Sequence, residues 1–123
     1  MKNITTSKIR LEALAAAFDH LDNVHSSNIH RPAGYWAENA RSARQISDAL
    51  DTVLEWSKQD VTDHAFTLKT LANICRDIRN ETTAPEGQEF WQNHHQNTAN
   101  LSDEIADFNH LEELAEMGEF PVY

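Results

Sequence analysis

Cysteine occurs once in the 123 residues, at Cys75, which excludes a disulfide within the chain and a zinc site built on several thiolates. Glycine and proline are scarce, three of each, and Gly34, Gly87 and Gly118 stand far apart. An all-β sandwich needs frequent turns and β-branched runs, and a phosphate-cradling loop needs clustered glycines, so neither is written here. Long apolar runs are missing too. The opening MKNITTSKIRLEALAAAF has no uninterrupted apolar core, and no stretch approaches the roughly 20 residues that span a bilayer. A cytoplasmic protein without membrane attachment is the resulting expectation.

The most informative absence is local. From Asn80 to Tyr123 there is no Lys or Arg, while Glu81, Glu86, Glu89, Asp103, Glu104, Asp107, Glu112, Glu113, Glu116 and Glu119 supply ten acids. The first 79 residues hold all ten basic residues and the other ten acids, so the formal net charge of -10 arises in the last third. Such a balance disfavours direct binding to nucleic-acid phosphates, which takes a basic footprint. It favours a partner protein that is itself basic.

What is present is helical pattern. Residues Leu11, Leu14, Phe18 and Leu21 alternate by three and four beside Ala15, predicting a helix over about 7–24 capped by Thr6 or Ser7. The segment His25 to Pro32 breaks the period and reads as a loop. A second stripe, Trp36, Ala40, Ala43, Ile46, Leu50 and Val53 with Leu54 beside it, predicts a helix over about 34–58. The stripe Val61, Ala65, Leu68, Leu71, Ala72, Cys75 and Ile78 predicts a third over about 61–79, with Asp60 at its N-terminus and Arg76 and Arg79 in its last turn.

After the loop NETTAPEG the period resumes at Phe90 and Trp91 but turns polar through WQNHHQNTAN. This predicts two helices, about 87–98 and 101–117, with a break near Thr98 to Ser102, His94 and His95 near a helix end, and Gly118 as a stop. The second carries Leu101, Ile105, Phe108, Leu111 and Ala115 inward. Glu104 falls among those apolar positions, where it needs either a place at the rim or a basic partner. The fold class predicted is all-α, an antiparallel bundle of four to five amphipathic helices in one domain over residues 1–123.

Catalytic chemistry is thinly represented. Cys75 lies on an apolar stripe and reads as a small buried hydrophobe. Seven histidines raise the question of a metal, yet helical di-metal sites use paired Glu-x-x-His motifs, and here Asp107-x-x-His110 occurs once beside the one-turn pair Asp60 and His64. Glu112, Glu113 and Glu116 resemble half of the carboxylate set with which some all-helical nucleotide pyrophosphohydrolases hold magnesium, without the other half. Arg41 and Arg44 sit one turn apart on the second helix, but among Glu38, Asp48, Asp51 and Glu55 they make a mixed-charge surface.

No cofactor is therefore expected. The sequence is read as a small acidic non-enzymatic binding protein, an inhibitor or regulator that occupies the basic nucleic-acid-binding or catalytic surface of a partner such as a nuclease. An antitoxin, immunity or anti-defence protein has this character. The expected contact residues are Asp103, Asp107, Glu112, Glu113, Glu116 and Glu119, together with Trp56 and Phe66, two large aromatics at or beyond the edge of their stripes. Two alternatives stand beside this reading. One is a metal-dependent all-helical hydrolase using the C-terminal carboxylates, and the other is a structural homo-oligomeric subunit with Trp56 and Phe66 between copies.

Overall fold

The computed structural model describes residues 2–24 and 34–106, so the predicted loop at 25–32 and everything from Asp107 onward lie outside the described residues. Four α-helices and one short 3-10 segment account for nearly all of it, with no strand among the described residues.

Helix α1 (Lys2–Val24) begins ahead of the hydroxyl cap expected at Thr6 or Ser7. Neither glycine nor proline interrupts Lys2 to Thr6, and Ser7 is only 1% exposed, in line with Leu11 and Leu14 at helical spacing. The buried hydroxyl belongs to the interior face.

Helix α2 (Tyr35–Ala49) is entered through Gly34, whose φ of 81° is a left-handed conformation that a side chain would strain. The helix stops well short of the expected Lys58. Residues Leu50–Glu55 tighten into a 3-10 segment in which Thr52 leaves helical geometry, at φ -117° and ψ 25°. Leu50 and Val53 remain buried because a spacing of three is the repeat of a 3-10 turn, which is why the stripe reads in sequence as continuing helix.

Helix α3 (Lys58–Glu81) starts earlier than the Asp60 cap implies. Ser57 is the N-cap: its hydroxyl accepts from the Asp60 N–H at 3.0 Å, and the Asp60 carboxylate accepts from the Ser57 N–H at 3.0 Å. Asp60 is the far member of a capping box. Helix α4 (Pro85–Ala106) opens with proline in its first turn, where a missing N–H leaves no bond unmade.

The expected break near Thr98 to Ser102 does not occur, so α4 is one helix and His94 and His95 lie within it, away from its ends. The polar residues bond to α3 instead: Ser102 Oγ donates to the Ala65 carbonyl at 2.7 Å, and His95 Nδ1 donates to the Ala72 carbonyl at 2.8 Å. A carbonyl cannot donate, so that bond places the proton on Nδ1. Polarity at the interface is thereby satisfied without interrupting the helix.

Two core clusters define the packing. One joins Leu11 of α1, Ile46 of α2, Val61, Ala65 and Leu68 of α3, and Leu101 and Ile105 of α4 with Leu50, Val53 and Trp56. The other joins Leu14, Ala15 and Phe18, then Trp36, Ala40 and Ala43, then Leu71, Ile74, Cys75 and Ile78, and finally Trp91. Early residues of α1 and α3 thus meet late residues of α2 and α4, and the reverse at the other end. The four helices alternate in direction as an antiparallel bundle. Backbones approach most closely within the α1/α2 and α3/α4 pairs, and the hairpins face each other through these side chains. Phe18 lies between Trp36 and Trp91, each with its ring centroid 5.9 Å away.

Candidate partner-binding face

The bond from Ser102 to Ala65 sets the register of the α3/α4 hairpin. Successive residues on an α-helix turn by about 100°, and in an antiparallel pair the next residue on each helix turns to the same side. Phe66 and Asp103 therefore share the outer face of this hairpin, away from α1 and α2. Phe66 is 73% exposed and Asp103 is exposed. Around the ring, the hydroxyls of Thr62 and Thr70 each donate at 3.0 Å to a carbonyl of their own helix, and the Asp63 carboxylate accepts from Gln59 at 2.7 Å. An apolar ring amid polar groups already partnered is a good anchor for a second surface.

Trp56 is not part of that face, which corrects its expected role as an exposed contact. It is 8% exposed, its indole Nε1–H donates to the Ala49 carbonyl at 3.0 Å, and its ring lies 4.5 Å from that of His64. The extended backbone at Trp56, after the 3-10 segment, folds the side chain back under the end of α2. Of the remaining expected contacts, Asp107, Glu112, Glu113, Glu116 and Glu119 lie outside the described residues. Glu104 is half-buried, at the rim of the α4 interface.

Several chemistry-bearing side chains have structural duties. The Cys75 thiol is wholly buried, and burial pushes its pKa up to about 12, far from a reactive thiolate. Arg44 is held by Asp19 at 2.6 Å and Glu12 at 3.8 Å, a pairing that raises its already high pKa and binds α2 to α1. Asp60 caps α3 and His64 packs on Trp56, so this pair does not converge on a common point. Among the described residues no three His, Cys, Asp or Glu side chains gather as a metal would require. Asp107 and His110 lie outside them.

Two features escaped sequence reading. An open groove of about 600 Å³ between α1 and the 3-10 segment is lined by Ile4, Ile9 and Leu50, with a Lys8–Asp51 ion pair of 3.1 Å at its edge. Ile9 is 63% exposed there, and its position off the α1 stripe was the available signal. The other feature is a polar seam between α1 and α4, involving Ser7, Arg10, His94, Asn97 and Thr98. The polar turn of the α4 stripe was its trace in the sequence.

Comparison with known proteins adds no kinship: no family model matches the chain, and no match is found among curated proteins or solved structures.

Proposed function

We propose that this is a small acidic binding protein without catalytic activity, an inhibitor or regulator that occupies the basic nucleic-acid-binding or catalytic surface of a partner protein. An antitoxin, an immunity protein or an anti-defence protein acts in this way. The observation that carries the reading is the segregation of charge, with ten acids and no Lys or Arg from Asn80 to Tyr123. Charge used only for solubility is mixed in sign, whereas a one-signed segment steers association with an oppositely charged surface. Phe66 adds an exposed aromatic on the same hairpin as Asp103, the pairing of apolar anchor and charged surround found in protein interfaces.

The test is capture from host lysate by the wild-type protein, by a Glu112→Lys, Glu113→Lys, Glu116→Lys variant and by an Asp103→Lys, Phe66→Ser variant, each checked for helicity first. The reading requires a basic nucleic-acid-handling protein that the wild type retains, that both variants release, and whose association slows as salt is raised. Equal retention by all three baits contradicts it.

A second reading, self-association, is favoured by the exposure of Ile9, Leu54 and Phe66. Trp56 no longer contributes to it, since that ring is covered within its own chain. Light scattering across a dilution series separates the two: a monomer at all concentrations removes the oligomeric reading.

A further inference from the structure

The seam between α1 and α4 gathers several polar side chains beside the apolar core clusters. Within it lies a cavity of about 10 Å³, walled by Leu11 and Leu101 and lined by Ser7, Arg10, His94, Asn97 and Thr98. Ser7 is 1% exposed and Thr98 4%, while Arg10, His94 and Asn97 are half-buried, so the cavity runs from the interior to the edge of the seam. Two of the lining residues each carry an atom, Ser7 Oγ and Arg10 Nη1, that is shielded from solvent and has no hydrogen-bond partner among the described residues. No carboxylate lines the cavity, and Arg10 forms no ion pair among the described residues. In a chain of net charge -10, none of the described residues that line the cavity sets a carboxylate beside this half-buried guanidinium.

We propose that the α1/α4 seam is a binding site for one monatomic anion, chloride in a cellular medium, held between Arg10 Nη1 and Ser7 Oγ. The chemistry follows from the donors. A guanidinium N–H donates and cannot accept, and a serine hydroxyl rotates to donate toward negative charge. With Nη1 shielded from solvent, the attraction between this half-buried guanidinium and an anion is stronger than between fully exposed charges. Size sets the rest. A cavity of this volume admits about one solvent-sized sphere, which excludes carboxylate, phosphate and sulfate and leaves a halide or a single water as occupant. Of these only the halide also balances the charge of Arg10. The site lies on the α1/α4 seam, and its occupancy does not depend on the partner proposed above.

The experiment compares thermal unfolding in sodium chloride and in sodium gluconate at equal ionic strength for the wild type, Arg10→Gln and Ser7→Ala, with circular dichroism establishing that each is folded. The wild type is expected to melt about 3 °C or more higher in chloride, the shift that ligand linkage produces in a domain of this size. Arg10→Gln removes that difference and Ser7→Ala reduces it. Should either variant fail to fold, crystals of the wild type grown in sodium bromide decide the matter through anomalous scattering. A bromide peak within hydrogen-bonding distance of Arg10 Nη1 and Ser7 Oγ upholds the site. Equal melting temperatures of the wild type in the two salts, an undiminished chloride shift in Arg10→Gln, or a water in place of the bromide peak overturns it.

Discussion

Thr82 and Gly87 are matched to each other across the α3/α4 turn: a Cβ placed on Gly87 would lie 2.7 Å from Thr82 Cγ2. The threonine cannot simply rotate aside, because its hydroxyl donates to the Ile78 carbonyl at 2.6 Å and closes the end of α3. Gly87→Ala therefore sets a clash against a gain in helix propensity of at most about 1 kcal/mol. Overpacking against a held side chain costs about 1–3 kcal/mol, so the single variant is expected to be the less stable. In a Thr82→Ser background the hydroxyl bond survives and the obstructing methyl is gone, so the same Gly87→Ala change should stabilise. Urea denaturation of the four proteins in the cycle checks this, with a coupling above about 0.5 kcal/mol expected between the two sites.

Trp56 and Phe66 were alike as sequence candidates and are opposites in the fold. Trp56→Ala empties a core position and should lower stability by about 3–5 kcal/mol, while Trp56→Phe, which loses the bond to the Ala49 carbonyl, should cost about 1 kcal/mol. Phe66→Ser, at a 73% exposed site, should change stability by no more than about 0.5 kcal/mol. Equilibrium denaturation of the three variants measures the contrast directly.

Cys75 offers a probe of the core that needs no mutation. Its thiol is wholly buried with its pKa pushed up to about 12, so neither access nor ionisation favours alkylation. The native protein should resist iodoacetamide at pH 8, and labelling should track the unfolding transition as denaturant is added. Rapid labelling of the native state would show that the helices part at Cys75 without global unfolding.

His94 should make the fold sensitive to mild acid. Burial lowers its pKa in the folded state, and the ring lies 4.7 Å from Phe90 and 5.7 Å from Trp91. The unfolded chain takes up the proton more readily, so its contribution is fully present above the unfolded value of about 6.5 and is lost as pH falls through the lower folded value. Between pH 7.5 and 5, stability should therefore fall less steeply in His94→Gln than in the wild type. Unfolding free energies measured across that range test the slope, and an NMR titration of the ring locates the folded value.

Where apolar periodicity was strong, the sequence was sufficient. The stripe from Trp36 through α2 to Val53 of the 3-10 segment and that of α3 from Val61 to Ile78 are buried, as are Leu11, Leu14 and Phe18 on α1. Leu54, expected beside the second stripe, is 60% exposed. Errors arose where the period changed or polarity entered. A 3-10 turn preserves a spacing of three while rotating the residues that come after it, which hid the turning of Trp56 inward. The polar positions of α4 looked like a break because bonds such as Ser102 to Ala65 and His95 to Ala72 join residues distant in sequence. Of the candidate face, Phe66 was legible as a ring opposite its stripe, but its alignment with Asp103 depends on the register between two helices.

The sequence by itself determined the all-helical class, the apolar faces and the location of the net charge, because these depend on residue type and on spacing within one helix. Tertiary structure alone decided which polar residues are interior, which aromatic is covered, and which side chains share a face. Those outcomes depend on partners brought together across the bundle, as Ser7 and Arg10 are with His94, Asn97 and Thr98, and no spacing along a single helix encodes them.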